Sequence, residues 1–89
     1  MPNRYIETKK ALFNGQLPVF KKGDRVWLVL SLDWYRIVEC EVDEWLEADA
    51  VFAYRIVGEP RERPYSGIKA EVFPTRESLC EFYRKFFEQ

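Results

Sequence analysis

The run FPTRESLCEFYRKFF, from Phe73 to Phe87, constrains this chain most. Leu79, Phe82, Tyr83, Phe86 and Phe87 stand at i, i+3, i+4, i+7 and i+8, which is one stripe of an α-helix. Arg76, Glu81, Arg84, Lys85 and Glu88 occupy the other side. Thr75, just after Pro74, can cap the helix by accepting from a backbone N–H two or three residues on. Glu77 suits the positive end of the helix dipole, and Glu81 precedes Lys85 by one turn in the favourable orientation. A helix over residues 75–88 follows. Five large apolar side chains on one stripe need a cover.

Upstream, the apolar period drops to two. In RIVECEVDEWL, Val38, Cys40 and Val42 point one way and Glu39, Glu41 and Asp43 the other. Trp45 breaks that parity, which marks a bulge or the end of the strand. VFAYRIV sets Phe52, Tyr54 and Ile56 against Ala53 and Arg55, and IKAEVF turns Ile68, Ala70 and Val72 inward. Val26 to Leu32 is almost continuously apolar, as in a strand covered on both faces. Gly23-Asp24, DWYRI, EADA and GEPRERPYSG supply the turns and a loop. KALFNGQLPVF carries Asn14-Gly15 between apolar residues, a hairpin signal. The rival is a short helix from Ile6 to Phe13, with Gly15 as its left-handed cap. Lys9 and Lys10 interrupt the stripe such a helix would need, which favours the hairpin, with Pro18 at an edge position.

The pattern predicts one α+β domain over residues 1–89: an N-terminal hairpin or arm (1–19), a curved antiparallel meander of about four to five strands (20–73) and one C-terminal amphipathic helix (75–88). The helix is expected to lie on the inward rows, with Leu79, Phe82 and Phe86 deepest. Tyr83 and Phe87 fall at the stripe's edge, where they can reach a partner or a second copy. Aromatic residues make up 17% of the chain, enough for a dense core without a disulfide or metal. Cys40 and Cys80 both read as inward-facing small hydrophobes. MPNRYIETKK has no hydrophobic signal segment and no apolar run spans a bilayer, so a cytoplasmic location without membrane contact is expected.

From Phe20 to Phe73 the chain resembles an SH3-like barrel. FKKGDRVWLV is similar to the opening of such domains, and VECEVDEW and AYRIV to the next two strands. VFPTRESLCEFYRKFF looks like the strand-to-helix ending of small phage and mobile-element proteins. The resemblance implies a barrel whose relatives bind peptides, nucleic acids, methylated side chains or other subunits, so it carries no function by itself.

Histidine is absent, which removes the commonest general base and metal ligand, and no Gly-rich phosphate loop occurs. No enzyme activity and no cofactor are expected. Net charge is −1, without the basic excess of a strong nucleic-acid binder. The uneven features are local. Glu39, Glu41 and Asp43 belong to an acidic run, read either as a solvated, edge-blocking hairpin or as a dock for a basic partner. Trp34 and Tyr35, in a turn, are the first choice for an exposed aromatic site, whereas Trp27 and Trp45 read as packing. Lys21, Lys22 and Arg25, with Arg61, Arg63 and Tyr65, could hold phosphates and stack bases, although Glu59 and Glu62 offset the second group. The leading reading is a protein-interaction module, as a monomer or homodimer, from a phage or mobile element and directed at a host protein. A nucleic-acid-binding barrel comes second.

Overall fold

Four strands pair antiparallel in the order in which they leave the chain: β1 (Arg25–Ser31), β2 (Tyr35–Glu44), β3 (Val51–Ile56) and β4 (Tyr65–Ile68). The structure is a computed structural model that describes residues 4–31, 35–60 and 62–88. A 3-10 turn over Lys69–Glu71 follows β4, and the chain then returns to β1. There Trp27 and Phe73 exchange both backbone hydrogen bonds, at 2.8 and 3.0 Å. The sheet is therefore curled into a half-barrel. With the helices α1 (Arg4–Leu12) and α2 (Arg76–Glu88) it forms a small α+β fold, in the class the alternation predicts.

The curl fills itself. Val26, Leu28, Val38, Cys40, Val42, Phe52, Tyr54 and Val72 are buried together on the concave face. An aromatic chain closes one end: Phe20 meets Trp45 at 5.5 Å, Trp45 meets Phe52 at 5.2 Å, and Tyr54 stacks on Tyr65 at 5.5 Å. Trp45 reaches this core because the register slips between Val42 and Glu44, the bulge its broken parity implies.

The helix accordingly does not cover the inward rows, contrary to expectation. Leu79 and Phe82 pack with Phe73 against the opposite face, where Trp27, Val29 and Ile37 project from β1 and β2. Strand alternation makes both faces of β1 apolar, and both are covered, as its continuous apolar run requires. Thr75 caps α2 as expected: its Oγ1 accepts from the Ser78 N–H at 3.0 Å, while Ser78 Oγ accepts from the Thr75 N–H at 3.3 Å. The Glu81–Lys85 pair closes at 3.4 Å.

Three other expectations fail for identifiable reasons. The N-terminal segment is a helix, not a hairpin. Asn14 (φ 56°) and Gly15 (φ 89°) are both left-handed, but Gly15 N–H bonds Lys10 O at 2.6 Å, the six-to-one bond that ends a helix. Asn14 holds the left-handed C′ position, and Pro18 lies outside any strand. The last strand begins earlier and ends sooner than IKAEVF implies: Tyr65, Ser66 and Gly67 belong to it, and Ile68, half exposed, is its final residue. Gly67 permits this pairing because a Cβ there would come within 2.8 Å of the Tyr54 ring. Cys80 is exposed, one position off the buried side of α2, whereas Cys40 is buried; both are free thiols. No helix among the described residues is long and apolar enough to cross a membrane.

Lys9 explains why α1 forms across an apparent break in its stripe. The side chain has 0% of its surface exposed. Its Nζ donates to Ala70 O at 2.5 Å and Val72 O at 2.6 Å, and lies 4.1 Å from the centroid of the Phe73 ring. Its methylene stem acts as part of the apolar stripe, and its head ties α1 to the segment that returns to β1. Beside it, Tyr5 packs edge-on against Phe82 at 4.6 Å, and Arg4 Nη2 donates to Phe86 O at 2.5 Å.

Candidate protein-binding surface

Because α2 lies on the outer face of β1 and β2, its stripe divides. Leu79 and Phe82 are sealed, Tyr83 and Phe86 are half-buried, and Phe87 is 75% exposed. Phe87 nonetheless packs on its neighbours: it stacks on Tyr83 at 6.0 Å and meets Phe86 edge-on at 5.5 Å. Leu79, Tyr83 and Phe87 form one wall of a groove of about 480 Å³, with Val29 and Ile37 opposite. Arg36 contributes the groove's charged group. The expected edge pair, Tyr83 and Phe87, is thus brought together with a concave apolar surface.

The acidic row has other business. Glu41 pairs with Arg25 at 4.0 Å, and Asp43 with Arg55 at 3.2 Å. Glu41 also faces Arg55 directly in the register, so cations of β1 and β3 flank the acids of β2. Arg55 Nη2 further donates to Glu62 O at 3.1 Å, holding the loop between β3 and β4. Glu39 lies opposite Trp27 and has no ion-pair partner among the described residues. The Arg25–Glu41 pair is exposed and weak and the Arg55–Asp43 pair is half-buried, and together they spread the acidic charge among neighbouring cations.

The basic set is also partly engaged. Lys21 pairs with Asp24 at 3.1 Å, and its backbone N–H donates to the same carboxylate at 2.9 Å, which holds that carboxyl below its usual range. Lys22 and Arg63 are exposed, and Arg25 is paired to Glu41. Tyr65 has one ring face on Tyr54 and donates its hydroxyl to the Glu59 carboxylate. Arg61 and Trp34 lie outside the described residues, and Tyr35, whose side chain does too, opens β2 opposite Ser31.

Three groups have proton affinities displaced far from normal: the enclosed Cys40 and Lys9, and the half-buried Tyr5, whose phenol burial pushes up. Burial, with Glu39 and Glu59 adding to it, pushes the Cys40 thiol up to about 12. Burial likewise pulls Lys9 down to about 7, against the opposing pull of Glu71. A thiol held protonated is a poor nucleophile. No three His, Cys, Asp or Glu side chains among the described residues are grouped to hold a metal ion.

The groove residues that sequence reasoning missed are Val29, Arg36 and Ile37. A signal for Val29 and Ile37 existed. Trp27, Val29 and Ile37 are apolar at positions opposite in parity to the core row, so the outer face of β1 and β2 needed a cover. For Lys9 there was none, since lysine is rarely fully buried.

Comparison with family models, with curated proteins and with solved structures finds no match to this chain.

Proposed function

We propose that this chain is a non-enzymatic protein-interaction module that engages its partner through the aromatic surface around Tyr83 and Phe87. The observation that carries this reading is Phe87, 75% exposed yet stacked on Tyr83 at the lip of an apolar groove. A large exposed aromatic packed on its neighbours beside a concave apolar surface is the arrangement of an interface anchor. The acidic row supports this role less, because Glu41 and Asp43 are already paired. The basic residues give similarly limited support to a nucleic-acid interface, with Lys21 and Arg25 paired and Tyr65 stacked.

Replacing Phe87 by a photo-crosslinking phenylalanine analogue tests the proposal in the organism that makes the protein. One heterologous protein should crosslink from position 87 and not from exposed Glu47, and Tyr83→Ala should suppress it. Equal labelling from both positions, or none from 87, would reject the aromatic surface as the interface.

A further inference from the structure

The half-barrel leaves two strand edges facing one cleft. Trp27 gives both its backbone hydrogen bonds to Phe73, so it points away from β2, and by alternation Val29 does the same. On the far edge, Lys69 N–H bonds Ala50 O at 3.0 Å, which sets the phase of the β3–β4 ladder. Gly67 and Tyr65 therefore bond back to β3, whereas Ser66 and Ile68 turn outward. Among the described residues, the backbones of Val29, Ser66 and Ile68 have no partner. Between them lies a cleft of about 380 Å³, walled by residues 28–30 of β1 and 65–68 of β4, with Tyr54 and Ile56 behind.

The chain does not close this gap itself, and Lys9 shows why. The 3-10 turn lifts residues 69–71 off the line of β4, and the carbonyls of Ala70 and Val72 are committed to Lys9 Nζ. Only at Phe73 does the returning segment reach β1. The cleft is also charged at opposite ends. Glu71 lies two residues before Phe73, beside the Trp27 end of β1. Arg36 pairs with Leu30 at the other end and has no ion-pair partner among the described residues; Glu59, whose carboxylate accepts from the Tyr65 hydroxyl, also stands on the cleft wall.

We propose that this cleft binds an extended segment of another protein as an added strand between β1 and β4. Its backbone supplies the donors and acceptors that Val29, Ser66 and Ile68 lack. Alternate side chains are apolar and enter over Leu28, Leu30 and Ile56. An acidic residue meets Arg36 and a basic one meets Glu71, which fixes the direction of the segment. This surface is distinct from the one around Tyr83 and Phe87, although Val29 and Arg36 border both, so either can fail alone.

The test begins with displayed peptides of about eight residues, alternate positions restricted to Val, Ile, Leu or Thr, selected against the intact chain. The best sequence is synthesised, then N-methylated at one peptide nitrogen at a time. Methylation at one alternating set of nitrogens should weaken binding by about tenfold or more, while the other set should change little. The bound peptide should slow hydrogen exchange at the Val29, Ser66 and Ile68 amides, and Arg36→Glu should exchange the preference for an acidic residue for a basic one. Ser66→Pro deletes an outward N–H without a ladder bond and should abolish capture; if that variant does not fold, the methylated series stands alone. No enriched sequence, indifference to N-methylation, or protection centred on Leu79 and Tyr83 would each overturn the proposal. A dimer that protects the same amides without peptide would assign the edge to a second copy and overturn it too.

Discussion

Lys9 Nζ lies 2.6 Å from the carbonyl oxygen of Val72, a residue 63 positions further along the chain. This contact joins the first helix to the strand-closing segment and is wholly enclosed. A buried amine is tolerated only when its hydrogen bonds are met. Here two carbonyls are available, as many acceptors as a neutral amine has N–H groups, and the Phe73 ring faces a charged one.

Lys9→Met keeps the apolar volume and removes the donors. It should destabilise the fold by about 1–3 kcal/mol, the cost of leaving a buried carbonyl unpaired. Lys9→Ala adds a cavity and should cost more, about 3–5 kcal/mol. Urea unfolding of both variants separates the two contributions.

Stability should depend on pH through the same residue. Burial lowers Lys9 from its ordinary 10.5 to about 7. Between those values the unfolded chain holds the proton and the folded chain does not, so stability rises with pH. The Lys9 contribution is complete only above the unfolded value and is lost as pH falls through about 7. Its slope approaches about 1.4 kcal/mol per pH unit, one proton's worth. Above pH 9 the raised thiol of Cys40, and then the raised phenol of Tyr5, work in the opposite sense. Unfolding midpoints from pH 6.5 to 9 should therefore climb in the natural chain relative to Lys9→Met, and parallel curves would contradict this.

The two ends of the α2 stripe should respond differently to truncation. Phe82, fully enclosed among Phe73, Tyr5 and Phe86, should cost about 3–5 kcal/mol as Phe82→Ala. Phe87→Ala, at an exposed site, should stay within about 0.5 kcal/mol. Thermal melts of the two variants decide whether Phe87 is free of a structural duty.

Gly67→Ala should destabilise by about 1–3 kcal/mol, because the new methyl would meet the buried Tyr54 ring at 2.8 Å and the Phe52 ring at 3.1 Å. Near-ultraviolet circular dichroism should report the displaced aromatic packing, and an unchanged spectrum with unchanged stability would show that the rings give way.

Thr75→Ala removes the acceptor for the Ser78 N–H and should cost about 1 kcal/mol, read as a lower midpoint without a change of denaturant slope.

Local signals were legible wherever a residue's neighbours in sequence are its neighbours in space. The α2 stripe, its Thr75 cap, the Gly23-Asp24 turn and the Trp45 bulge are of this kind. So was the edge position of Tyr83 and Phe87, which follows from helical spacing alone. The full groove was not, because Val29, Arg36 and Ile37 join it from strands some fifty residues away by packing.

From sequence alone come the α+β class, the strand faces and the amphipathic helix, since periodicity dictates which side chains share a surface. Which surfaces meet is a different matter. The inward rows and the α2 stripe looked complementary, yet the curl buries the first against itself and α2 covers the opposite face. The same limit applies to α1, where the Asn14-Gly15 torsions serve either a hairpin or a helix end. Lys9 tips that choice: two carbonyls more than sixty residues distant receive its Nζ, and no local pattern records a bond made across that separation.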